Sequence, residues 1–287
     1  MNIALRARAG DQQASFFIRS AQQARRTTRT VAMKVLKKTR ILGIDFAAAN
    51  MKAAVKAVLT GLPKLRGKYI CFTNVHAAVM ANEDPDYMSI QNGAAYVFAD
   101  GAPIAALVKK SGFKRADRVA GPDFTEEMLR KSEGSGISHF FYGSSQKTLD
   151  LLKGNLQDRY PNLEIAGMIS PPFRRLSPEE DQRYVDRINS SGADILWVGL
   201  GAPKQEKWMA DHAGKINALM IGVGAAFDFH AGTVKRAPLW MQKLSLEWLF
   251  RLSQDPLRLL KRYIVTNSKF IWLLLRNRLP FSSRRPS

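Results

Sequence analysis

From Ile41 onward the chain repeats one pattern: a short apolar run, a polar or glycine-containing loop, then an amphipathic stretch. The apolar runs fall at Ile41–Phe46, Tyr69–Asn74, Tyr96–Ala99, His139–Tyr142, Glu164–Ile169, Ile195–Gly199 and Leu219–Val223. Helical periodicity falls between most of them, as in Gln146–Tyr160, Pro178–Ser190 and Lys204–His212. Apolar strands buried on both faces and separated by helices require a mainly parallel, Rossmann-like sheet with helices on both faces. Such sheets take ligands at the carboxyl ends of their strands. The loops of interest are therefore Thr73–His76, Asp100-Gly101, Gly143–Ser145, Gly199–Glu206 and Gly222–Asp228.

Charge divides the chain into three parts. Residues 1–40 carry ten Lys/Arg against one acid, and residues 243–287 carry ten against two. The middle holds 24 bases and 21 acids, so most of the net charge of +20 sits at the ends. We read residues 1–38 as a basic flexible arm, 39–240 as the α/β catalytic domain and 241–287 as a basic helical appendage. Basic ends attract phosphate polymers or anionic lipid headgroups. No run of eighteen apolar residues exists, so no transmembrane helix is expected, and the N-terminus lacks an apolar signal core. The single cysteine, Cys71, excludes an intrachain disulfide and sits in an apolar run as a buried small hydrophobe.

After Pro238 the pattern reads as one helix to about Gln254 and a second from Pro256. In the second, Arg258, Arg262, Lys269 and Arg276 cover about 40° of the helical wheel. Leu259, Leu260, Tyr263, Ile264, Phe270, Ile271, Leu274 and Leu275 take the other side. That is the pattern of an interfacial amphipathic helix, expected to hold the protein at an anionic membrane surface.

Several segments have the composition of a reactive site. Gly199-Leu-Gly201 and Gly222-Val-Gly224 do not complete a dinucleotide fingerprint, because Lys204 and Phe227 replace the third glycine. They still let backbone N–H groups approach a phosphate. Asp84-Pro85-Asp86 has metal-binding spacing but falls in a polar turn, where helix capping is the simpler role. Asp100, at a strand end before Gly101, is a candidate general base. Asn74 and His76 stand at a neighbouring strand end. Gly201, Lys204, Gln205 and Glu206 crowd one loop in a way that suits recognition of a sugar or base edge. Gly143 and Asp228 follow other strands, and Lys235 and Arg236 supply two adjacent cations that could neutralise a diphosphate.

These residues resemble the WecG/TagA/CpsF glycosyltransferases. The resemblance runs through Gly199–Glu206, Gly222–Asp228, Ala231–Pro238 and Leu246–Leu252, with Asp100-Gly101, Arg118–Asp123 and Ile188–Asp194 upstream. It covers roughly residues 41–275. It implies an inverting, metal-independent enzyme that needs no cofactor. The donor would be a UDP-sugar and the acceptor a saccharide on undecaprenyl diphosphate, in surface or exopolysaccharide assembly. That role implies the cytoplasmic face of the membrane and other polysaccharide-assembly enzymes as partners. The family's general base maps to Asp100, its asparagine to Asn74, its Gln-Glu pair to Gln205 and Glu206, and its C-terminal arginines to Arg251, Arg258 and Arg262. Gly101, Arg118, Gly121 and Asp123 fall within its motifs. Many members carry a threonine two positions before the asparagine; here Phe72 stands there and Thr73 is the nearest hydroxyl. Ser170–Arg174 resembles members of exopolysaccharide assembly.

The expected mechanism is a single displacement. Asp100 accepts the acceptor's proton, Asn74 and His76 orient the sugars, and the cations hold the departing UDP. A nucleic-acid binder is the alternative the basic ends suggest, but the body lacks an aromatic-interleaved basic surface. A nucleotide-sugar-modifying enzyme is opposed by the broken fingerprint and the absence of Tyr-x-x-x-Lys after a strand.

Overall fold

In the computed structural model, which describes residues 35–243, 246–254 and 256–276, six parallel strands form the central sheet. They are β3 (Tyr69–Thr73), β4 (Tyr96–Ala99), β5 (Ser138–Gly143), β6 (Glu164–Ile169), β7 (Ile195–Gly199) and β8 (Leu219–Gly222), in the order β4-β3-β8-β7-β5-β6. Neighbouring strands all pair in parallel. The expected sheet is therefore present, within a residue or two at each strand end.

The first expected strand is not part of it. Ile41–Phe46 is split by a tight turn into β1 (Lys38–Ile41) and β2 (Ile44–Ala47), an antiparallel hairpin. Leu42 and Gly43 both have positive φ, 48° and 82°, the two-residue turn whose twist suits a hairpin. Arg40 and Asp45 face each other in register and pair at 2.7 Å.

Helices cover both faces of the sheet. One face carries α1 (Met51–Leu65), α5 (Gly121–Ser132), α6 (Gln146–Arg159) and α9 (Ala226–Ala231), packed on Phe72, Phe98, Phe141, Trp197 and Ile221. The other carries α2 (Val75–Glu83), α3 (Pro85–Gly93), α4 (Ala102–Lys110), α7 (Pro178–Ser190) and α8 (Lys204–Asp211), packed on Cys71, Val97, Tyr142, Val198 and Met220. Full burial of a side chain such as Phe141 contributes about 2–3 kcal/mol. Several helices start at a cap just after a strand: Asn74 accepts from Ala77 N–H at 3.1 Å, and Ser145 from Thr148 N–H at 3.2 Å. Sequence thus turns the chain at the carboxyl edge, where the loops collect.

The C-terminal region departs from the expected pair of helices. The first is broken into α10 (Leu239–Lys243) and α11 (Glu247–Gln254), and α12 (Pro256–Arg276) follows. Leu249 and Phe250 N–H both return to Leu246 O, so the helix begins afresh there. The expected arm falls mostly on residues 1–34, outside the described residues, while Lys38 already belongs to β1.

The apolar half of α12 also divides. Leu259 and Phe270 are buried, and Phe270 joins the core on the α2 face. Leu260, Ile264, Ile271 and Leu275 form a second stripe that stays 49–72% exposed. Among the described residues no helix is long and apolar enough to cross a membrane.

Candidate active site at the carboxyl edge of the sheet

The connection out of β3 leads outward to β4, whereas β5 to β8 occupy the other side of β3. A reversal of this kind opens a crevice at the strand carboxyl ends. Asn74 and Asp100 lie at its lip. Asp100 N–H donates to Thr73 O at 3.1 Å, and a Cβ on Gly101 would stand 3.8 Å from Asn74 Cβ, so the two motifs are side by side. Gly101 has φ +129°, which a side chain would strain, and this lets α4 start immediately after Asp100. Asp100 is half-buried and Asn74 exposed. Capping occupies the Oδ1 end of Asn74, not its Nδ2 end. His76, the second residue of α2, is half-buried with Nδ1 3.3 Å from Thr266 Oγ1 of α12.

Thr73 does not belong to this group. Its side chain is fully buried and its hydroxyl donates to Gln91 Oε1 at 2.6 Å. Strand alternation sends Phe72 to the opposite face, where its ring centroid lies 5.8 Å from Phe98 and 5.2 Å from Phe124. The structure therefore places the Thr73 hydroxyl, expected at the catalytic site, on Gln91 and away from the crevice.

The loop after β7 also differs from expectation. Lys204 is exposed, but Gln205 and Glu206 are 5% and 2% exposed. Gln205 Oε1 accepts from Gly224 N–H at 3.0 Å, and its Nε2 donates to Glu206 Oε1 at 2.8 Å. The pair, expected to read a substrate edge, is placed where it ties the β7 loop to the β8 loop. Burial pushes the Glu206 carboxyl above its usual range, against the opposing hydrogen bond from Gln205. Tyr87 of α3 lies near enough for each group to influence the other's protonation. Burial likewise pushes the Cys71 thiol up, as for an inert core residue.

A four-residue ring of charge spans the same edge. Arg118 pairs with Asp123 at 3.2 Å and with Glu247 at 3.4 Å. Arg236 pairs with Asp123 at 2.6 Å and with Glu247 at 3.7 Å. Burial disfavours the Arg236 charge, but the Asp123 and Glu247 carboxylates outweigh it and hold the guanidinium above its ordinary value. Val119 N–H donates to Ala99 O at 2.9 Å, which sets Arg118 beside the end of β4. Gly121 sits at the start of α5, where a Cβ would stand 3.6 Å from Val223 O after β8. The ring therefore joins the α4–α5 connection, α5, the segment after α9, and α11.

The remaining expected residues are spread along the edge. Gly143 ends β5 at φ +127°, where a Cβ would meet the Gly199 backbone at 2.6 Å, so the strand ends approach closely there. Gly201 follows β7, Lys235 is exposed after α9, and Asp228 Oδ1 accepts from Thr233 Oγ1 at 3.3 Å. The side chains of Arg251, Arg258 and Arg262 lie outside the described residues. Asp84 caps α3, accepting from Asp86 and Tyr87 N–H at 3.0 and 3.1 Å, and pairs with Lys207 at 3.4 Å. Among the described residues no group of three His, Cys, Asp or Glu converges as metal ligands.

Asp100, Asn74, Arg118 and Arg236 thus collect at the carboxyl edge of a parallel α/β sheet, the place where such sheets bind ligands. Residues 39–284 match the Glycosyl transferase WecG/TagA/CpsF family, and the chain belongs to that family. It is a glycosyltransferase. The chain is also 30% identical over 224 residues to an N-acetylglucosaminyldiphosphoundecaprenol N-acetyl-beta-D-mannosaminyltransferase of Staphylococcus aureus (strain MW2), covering 76% of this chain and 85% of the relative.

Proposed function

We propose that the enzyme transfers a sugar, of the N-acetylmannosamine or glucose type, from a UDP donor to a saccharide on undecaprenyl diphosphate, with inversion and without a metal ion. The adjacency of Asn74 and Asp100 at the strand ends carries this reading. Asp100 takes the proton of the acceptor hydroxyl as that oxygen attacks the anomeric carbon, and the bond to the UDP oxygen breaks. The Nδ2 end of Asn74 and the ring of His76 orient the sugars. Arg118 and Arg236, with the exposed Lys235, hold the diphosphate as it departs. Gln205 and Glu206 contribute by fixing the β7 and β8 loops.

The acceptor class follows the name of the Staphylococcus aureus relative. The exposed stripe Leu260, Ile264, Ile271 and Leu275, with Trp248 on α11, fits peripheral attachment to the inner face of the cytoplasmic membrane. Lys261 lines a cleft of about 340 Å³ with His76 and Met80 and adds attraction to anionic headgroups, while Lys269 at the same cleft pairs with Glu83.

The test is incubation with a panel of UDP-sugars and a short-chain lipid-diphosphate N-acetylglucosamine, read as product mass. A disaccharide product formed in EDTA is expected. Absence of transfer from every UDP-sugar, or its abolition by EDTA, would refute the donor or the metal-free chemistry respectively.

A further inference from the structure

The ring Arg118–Asp123–Arg236–Glu247 holds two guanidinium and two carboxylate groups, so its charges cancel. The two carboxylates weaken the attraction of these guanidiniums for a diphosphate, although two facing guanidinium forks are the group best matched to one. Its donors are also incompletely used: among the described residues Nη2 of Arg236 is buried without a hydrogen bond, and Nε makes only the 3.7 Å ion pair with Glu247. Of the two carboxylates, Asp123 is fixed in the first turn of α5 within the body. Glu247 opens α11, on the C-terminal segment, with its side chain 14% exposed against both arginines.

We infer that Glu247 is an internal anion standing in a diphosphate site, and that an arriving diphosphate exchanges for it between Arg118 and Arg236. This rests on the proposed function only in taking a diphosphate as the ligand. Exchange frees the start of α11 from the two arginines, while α12 stays packed on α2 through Phe270, so ligand binding and release of α11 are coupled. Coupling is reciprocal: whatever diphosphate does to the contact, loss of the contact does to diphosphate affinity. Glu247 is thus a positioning residue that sets the affinity of the site and is not in contact with the reacting atoms.

The experiment measures binding of inorganic diphosphate, UDP and farnesyl diphosphate to the full chain and to Glu247→Gln, with trypsin cleavage of the α10–α11 segment as second readout. Glu247→Gln is expected to bind inorganic diphosphate about tenfold more tightly, within the usual range for coupled sites. Diphosphate should speed cleavage of the parent protein and leave the already fast cleavage of the variant unchanged. A purely structural contact would give faster cleavage with unchanged or weaker diphosphate binding, and that result overturns the inference. So does failure of both proteins to bind inorganic diphosphate. Should Glu247→Gln fail to unfold cooperatively, Glu247→Asp, which keeps the charge and withdraws it by one methylene, is expected to tighten binding about threefold; no tightening there also overturns it. UDP and farnesyl diphosphate separate a nucleotide from a lipid source. UDP binding no tighter than inorganic diphosphate would remove the uridine donor and leave the exchange standing.

Discussion

Two strand ends of this sheet look alike in sequence and behave in opposite ways. After β4 the chain reads Ala-Asp-Gly, and Asp100 stays half-exposed beside Asn74. After β7 it reads Gly-Ala-Pro-Lys-Gln-Glu, and the two most polar side chains turn inward, onto Gly224 N–H and each other. The difference lies in where the next helix begins. Gly101 lets α4 begin at once, so Asp100 has no helix to bury it, whereas Gln205 and Glu206 lie in the first turn of α8 against α3. The polar loop after β4 therefore leaves its carboxylate at the crevice, while the one after β7 packs beneath it.

The sharpest way to break this comparison is Glu206→Ala. Removing a buried carboxyl leaves Gln205 Nε2 without its acceptor and opens a void, at a cost of about 2–4 kcal/mol measured by chemical denaturation. Transfer by the folded fraction should change little; full stability with lost transfer would put Glu206 on the substrate side. Thr73→Val is next. It leaves Gln91 Oε1 unpaired and should cost about 1–2 kcal/mol while transfer stays within about twofold. A hundredfold loss of transfer would restore Thr73 to the site.

Asn74→Ala sharpens the other side. It removes the α2 cap, worth about 1 kcal/mol, and should slow transfer by more than that stability loss accounts for. An unchanged rate would reduce Asn74 to a cap. The smallest effect is on pH dependence. Glu206 has a raised carboxyl, so the folded state binds more protons than the unfolded chain once pH exceeds its ordinary value of 4.5. Its contribution is then fully present at lower pH and is lost as pH rises through the raised value. Glu206→Gln should remove that part of the slope in stability against pH; an unaltered slope would show that Glu206 is not its source.

Much of this is legible in the sequence because parallel sheets enforce it. Strands such as Ile195–Leu-Trp-Val-Gly199 must be apolar throughout, and Asn74 and Ser145 mark helix starts by their own chemistry. The hairpin escapes the pattern because Leu42-Gly43 interrupts an apolar run without a polar residue to announce the turn. The burial of Gln205 and Glu206 depends on Tyr87, more than a hundred residues away, and no local pattern encodes it. Glu247 is hidden for the same reason: its partners, Arg118 and Arg236, come from separate segments, and one of two acids in a basic region invites no notice. The basic and apolar sides of α12 are readable, but which apolar stripe packs on α2 depends on the fold.

Everything at the crevice turns on whether the carboxylate at the end of β4 removes the acceptor's proton. Single-turnover transfer by Asp100→Asn, with folding checked by its unfolding midpoint, measures this directly. The account predicts a correctly folded protein whose transfer step is slowed by about 10²–10⁴. A folded variant that transfers at the parent rate would contradict it.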